Sequence, residues 1–282
     1  NIHAGETWEE VQRNLALYLP QAKAALSPSA PFGVGLRLSG IAAASLADED
    51  VRNDFKAFLA ERHLYVFTLN GFPYGDFHGT PVKENVYLPD WRDPARLTYT
   101  DQLADILADI LPDRVSGTIS TVPGALKALI RTDEDVSAMM QNMVRHVAHL
   151  VELHQQTDKL ISLTLEPEPC CFIETIDESV AFFDGHLYSV AAREFLQGLT
   201  GLDEAAADAA LRRHLGLCLD LCHAAIEFED AAEVVRKLKA ADISVGKMQI
   251  SAGLRFAPVG DRTLELLRPF DDAVYLHQTV AK

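Results

Sequence analysis

The segment LGLCLDLCH, residues 215–223, decides the fold, and it does so together with LISLTLEPEP at 160–169. Each is a short apolar run of the length of a buried parallel strand, and each ends abruptly in residues that can bind metal: Glu166 in one, Asp220 and His223 in the other. In a parallel α/β barrel the chemistry sits at the carboxyl ends of the strands, so charged groups placed there point to function rather than to the core.

Working outward, strand-like and helix-like patterns alternate along most of the chain. A helix is expected near 6–19, with Trp8, Val11 and Leu15 on one face, then a strand at 31–39, a helix near 48–61 and a strand at 63–70. A helix near 94–111 carries Leu97, Leu103, Ile106, Leu107 and Ile110 at helical spacing, and the strand 115–122 follows it. The second half reads as helix 133–157, strand 160–166, helices 176–197 and 203–213, strand 215–220, helix 229–241, strand 244–251, helix 261–268 and strand 272–278. Such alternation means a parallel sheet covered by helices. An open doubly wound sheet is the competing arrangement. No GxGxxG follows the first strand, and the glycines of GVGLRLSG at 33–40 lie within it, so dinucleotide binding has no support. The expectation is a TIM (β/α)8-type barrel, with residues 1–282 as a single domain.

Charge narrows the function. With 41 acidic against 25 basic residues the formal net charge is −16, and the longest basic cluster is VVRKLKAA at 234–241. Such a field repels polyanions, so nucleic acid is not an expected partner. No apolar run reaches the ~20 residues needed to cross a bilayer, and NIHAGETWEE lacks the basic start and apolar centre of a signal peptide. Direct membrane insertion is therefore not expected, and the cytoplasm is the expected location. Cys170, Cys171, Cys218 and Cys222 read as reduced thiols, because neither a disulfide framework nor a standard zinc spacing fits them.

Asp220 and His223 form a D-x-x-H pair suited to Zn, Mn or Mg, although on its own the motif reads more readily as a helix-capping Asp beside a surface His. Glu166 changes that balance, since Pro167 stops its strand and leaves the carboxylate at the rim. Glu168, two residues on, is a second candidate for ligand or proton carrier. Gln249 and His277 end the next strand and the last one, so a barrel would bring Glu166, Asp220, His223, Gln249 and His277 to one mouth. Gln249 is a weak, neutral ligand. The segment after Asn70 lacks periodicity for some twenty residues and reads as a lid or substrate wall. There Phe72, Tyr74, Phe77 and Trp91 offer stacking faces and His78 and Lys83 polar handles, with a packed surface loop as the plainer alternative. His146, His149 and His154 share one long helix and read as solvated or packing histidines. No G-x-S-x-G elbow supports a serine hydrolase.

LTLEPEP, LCLDLCH and the alternating pattern resemble the xylose isomerase-like TIM barrels, a superfamily of sugar isomerases, sugar epimerases and endonuclease IV. NIHAGETW, NGFPYGDFHGTPVKENVYLPDW, GTISTVPG, LEPEPCCFIET and YLHQ together resemble the EboE-type metabolite traffic proteins, from the first residues to the last. That resemblance implies a TIM barrel encoded with a small gene group that handles a secondary-metabolite precursor, in some bacteria helping it reach the periplasm, with a membrane protein as partner. It places the superfamily's metal positions on Glu166, Asp220 and His223, with Gln249 where a histidine is common. It also implies a piece of a longer chain, with a barrel incomplete at its C-terminus. The expected ligand is a small polar or sugar-like metabolite handled with a divalent metal ion. A metal-dependent sugar isomerase or epimerase is the alternative, and an endonuclease IV-like hydrolase a weaker one.

Overall fold

The computed structural model describes residues 3–75, 83–271 and 278–281. Its centre is a parallel sheet of six strands in chain order: β1 (Phe32–Arg37), β2 (Leu64–Asn70), β3 (Gly117–Thr121), β4 (Ile161–Leu165), β5 (Leu215–Asp220) and β6 (Val245–Gln249). Helices make the crossovers, among them α1 (Trp8–Leu26) ahead of β1, α2 (Gly40–Leu46) and α3 (Glu49–Glu61) before β2, and α4 (Pro94–Ile110) before β3. α5 (Asp133–Thr157) leads into β4, while α6 (Ile176–Phe182), α7 (Val190–Thr200) and α8 (Glu204–His214) lead into β5. α9 (Leu221–Ile226) and α10 (Ala231–Ala240) precede β6, and α11 (Asp261–Leu267) follows it.

This sheet is curled. A Cβ added to Gly246 on β6 would lie 2.8 Å from Thr164 Cγ2 on β4 and 3.6 Å from Thr118 Cγ2 on β3, neither of them a neighbouring strand. Sequential parallel order, helical crossovers and this curl make an α/β barrel of the TIM type, six strands of it within the described residues. The strand expected at 272–278 lies, up to 277, outside them.

Two apolar clusters hold the helices to the sheet. One joins Trp8, Phe55, Leu69, Leu103 and Ile119, and the other joins Trp91, Met143, Leu163, Leu165 and Leu217. α5 and α6 start on reciprocal capping boxes, Thr132 with Asp135 and Thr175 with Glu178, which satisfy the first amides and set the direction of each helix. No helix among the described residues is long and apolar enough to cross a membrane.

Two helices depart from the sequence expectation. α1 runs on through Pro20 to Leu26, since on a largely exposed helix the lost amide leaves the Ala16 carbonyl to water. The helix expected over 176–197 breaks into α6, a wide turn at Phe183–Leu187, and α7, which restarts where the Ser189 hydroxyl caps Ala192 N.

Candidate metal and ligand site

Strand register brings the functional side chains together. β5 pairs with β6 so that Asp220 lies opposite Gln249 and Cys218 opposite Lys247, and Glu166 N donates to the Thr121 carbonyl at 3.1 Å, extending the β3 ladder one residue past β4. Glu166 and Asp220 therefore leave the carboxyl ends of adjacent strands. Pro167 has no amide to carry the ladder on.

Glu166, Asp220 and His223 each offer one ligand atom, and these atoms lie within 4.8 Å of one another. Donors sharing one ion at bonds of about 2.1 Å stand at most ~4.2 Å apart, so the triad must close by a few tenths of an ångström to hold one. The donor chemistry fits a divalent cation. His223 Nδ1 lies 3.0 Å from the Pro167 carbonyl, which can only accept, so the proton sits on Nδ1 and the Nε2 lone pair is left for the site. Nε2 stands 4.0 Å from Asp220 Oδ2. Asp220 Oδ1 is already used, accepting from Cys222 N at 2.8 Å, from His223 N at 3.4 Å and from the Ser251 hydroxyl. Asp220 thus caps α9 through Oδ1, while its Oδ2 lies on the His223 Nε2 side.

Glu166 is 6% exposed, and burial pushes its pKa up against the pull of His223 and Lys247. Both its oxygens are held: Gln249 Nε2 donates to Oε1 at 2.5 Å and the Cys218 thiol to Oε2 at 3.6 Å. Gln249, expected as a weak ligand, meets the Glu166 carboxylate through its amide nitrogen. Cys218 is buried beside Glu166, and burial drives its thiol up, so it is neutral there.

Glu168 follows Glu166 by two residues, and His223 and Asp220 act on its charge. Its Oε1 accepts from Tyr87 Oη at 2.9 Å and from Gln278 Nε2 at 2.8 Å, and burial raises its pKa as well. Sequence reading missed Tyr87, Gln278, Ser251 and Cys218. For Cys218 a signal existed, because it lies two residues before Asp220 on a strand and so shares its face.

The residues expected to bind substrate are scattered. Phe72 and Trp91 are packed in the core, Phe72 edge-on to Tyr87 at 5.7 Å and Trp91 donating from Nε1 to Thr121 Oγ1 at 3.0 Å, so neither shows a ring face to a ligand. Tyr74 covers Gly40 and packs edge-on to Tyr99 at 5.0 Å. Asn70 Oδ1 accepts Phe72 N at 3.0 Å and so shapes the turn. Lys83 is exposed at the start of a short helical turn, and His78 and His277 lie outside the described residues. This segment is held by Arg96, fully buried, whose Nε donates to Pro89 O at 2.7 Å while Nη1 donates to Gly71 O at 2.7 Å and Phe72 O at 3.0 Å. An open depression of about 660 Å³ lined by Tyr74, Pro89, Arg92 and Asp93 shares no residue with the triad.

Among known proteins, no family model and no curated protein matches the chain. Solved structures similar to it in the path of the backbone include a xylose isomerase domain protein from Planctomyces limnophilus, 14% identical over 90% of each chain with a TM-score of 0.48. The 3-keto-D-glucoside 4-epimerase YcjR from E. coli is 15% identical, over 88% of this chain and 83% of that one, with a TM-score of 0.44. The IolI protein with a bound zinc atom is 12% identical, over 86% of this chain and 67% of that one, with a TM-score of 0.45.

Proposed function

We propose that this protein binds a small polar, polyhydroxylated metabolite at the barrel mouth with a divalent ion, and interconverts it as an isomerase or epimerase does, in the metabolite-handling role of the EboE type. The observation that carries this reading is the convergence of one ligand atom each from Glu166, Asp220 and His223 within 4.8 Å at the ends of adjacent strands. A bound divalent ion supplies Lewis-acid polarisation of a carbonyl or a hydroxyl pair. The rest of the chemistry belongs to the chain. Glu168 is the proton carrier: Tyr87 and Gln278 fix its Oε1, Oε2 has no hydrogen-bond partner among the described residues and is left to meet a substrate proton, and burial raises its pKa, which favours holding a proton. Cys218 and Gln249 hold the Glu166 carboxylate, and the Pro167 carbonyl holds the His223 tautomer.

Titration of Mn²⁺ and Zn²⁺ into chelator-stripped protein tests the reading. One ion per chain is expected, with uptake lost in Asp220→Asn and His223→Ala; no uptake by the unaltered chain ends it. A carrier that holds its metabolite without metal is the second reading, and the Gln249 to Glu166 hydrogen bond favours it, since that bond occupies the carboxylate a metal would use. Ligand binding indifferent to EDTA would select the carrier.

A further inference from the structure

Lys247 precedes Gln249 by two residues on β6, and its side chain crosses the inside of the barrel to meet Ser120 Oγ on β3 at 2.9 Å. Closed α/β barrels ordinarily fill that space with layers of bulky branched side chains. Here the same space receives hydroxyls. Thr118 Oγ1 donates to Thr68 Oγ1 at 2.8 Å, and Thr164 Oγ1 donates to the Ile119 carbonyl at 3.2 Å. Thr118 and Thr164 face inward, as their approach to Gly246 across the curl shows.

An ammonium brings three donors and a full charge, and desolvating it is costly without an anion or several acceptors. Lys247 is partly buried, and Ser120 Oγ is its one hydrogen-bond partner among the described residues, where it forms no ion pair. Its charge nevertheless acts on Glu166. With a divalent ion held by Glu166 and Asp220, two positive and two negative charges cancel; of the groups whose charge still acts on Glu166, Glu168 is then the anion and Lys247 the cation that could draw an anionic ligand. In a chain of net charge −16 the long-range field repels small anions, so a local ammonium beside the site gives a direct preference that the rest of the molecule opposes.

We infer that Lys247 selects the substrate class: a polyhydroxylated compound carrying an oxyanion, carboxylate or phosphate, whose charged end is held by Lys247 and Ser120 while its hydroxyls turn to Glu166, Asp220 and His223. This rests on the polyol reading above, but its test stands apart from metal binding.

Three six-carbon probes that differ only at C1 separate the terms: D-glucitol, D-gluconate and D-glucitol 1-phosphate, titrated calorimetrically at low salt with and without EDTA. A charged probe should bind roughly ten-fold or more tightly than glucitol, the worth of one charge-assisted hydrogen bond, and whichever of the two anions binds tighter identifies the oxyanion. Lys247→Met should bring charged and neutral probes to equal affinity, and Lys247→Arg should restore the preference. Ser120→Ala, which frees the ammonium, should keep it. If metal plays no part, EDTA leaves every affinity unchanged while the charge preference persists, so that failure is separate from this one. Failure of both anions to bind, equal binding of all three probes by the unaltered chain, or a preference that survives Lys247→Met overturns the inference. Equal thermal destabilisation by Lys247→Met and Ser120→Ala with the preference intact would make Lys247 a cross-barrel strut, and overturns it likewise.

Discussion

His214, at the end of α8, is buried with Nδ1 donating to the Ile161 carbonyl at 2.7 Å, and burial pushes its pKa from 6.5 down to about 4. The unfolded chain takes up this proton near pH 6.5 and the folded chain only near pH 4, so stability present above pH 6.5 is lost as the pH falls through that window. The loss is on the order of 3 kcal/mol. Urea unfolding at pH 7 and pH 4.5 should show a smaller difference in His214→Leu than in the unaltered chain. Glu166 runs the opposite way. Its raised pKa means that the metal-free protein loses stability as the pH rises through the folded value, so Glu166→Gln should be at least as stable as the unaltered chain at neutral pH without metal, yet show no thermal shift on adding Mn²⁺. Scanning calorimetry with and without the ion checks both halves. At this scale the convergence of the triad was legible, because an apolar strand that stops at a carboxylate announces its own carboxyl end. Phe72 and Trp91 were misread for the converse reason: a stretch without periodicity gives no direction to its side chains, and an aromatic there is as ready to fill a core as to face a ligand.

Among the elements, the joint between β5 and β6 carries the most consequence for the site. Leu217 N donates to Ser244 O at 2.8 Å, and a Cβ on Gly216 would lie 2.7 Å from that same oxygen. Gly216→Ala must push β6 away at its start, and because the register fixes Gln249 opposite Asp220, the shift travels to the grip on Glu166. The expected cost is roughly 1–3 kcal/mol, read as a lower urea midpoint, together with weaker metal uptake. A drop in stability with unchanged uptake would show that the far end of β6 is anchored independently. Strands were the readable elements, the six among the described residues each within a residue or two of its expected bounds. The long helix over 176–197 was not, since the sequence carries an apolar period straight across the turn at 183–187 and only Ser189, a competent cap inside that run, marks the restart.

Over the whole molecule, the acidic balance, the curled parallel sheet and the polar interior near the triad follow from patterns spread along the chain, which is why the class of fold could be read before its site. What composition could not convey is that the packing falls into two clusters, one under β1 and β2 and the other around β4 and β5. The chain has two tryptophans, and each cluster received one: Trp8 lies against Phe55 at 4.8 Å, and Trp91 lies near His146 at 6.3 Å. Nature has thereby wired a separate lamp into each half. With Trp8→Phe the emission reports only the second cluster and with Trp91→Phe only the first, so two denaturation curves recorded by fluorescence should superimpose if the halves melt as one cooperative unit, and separate if one half gives way before the other.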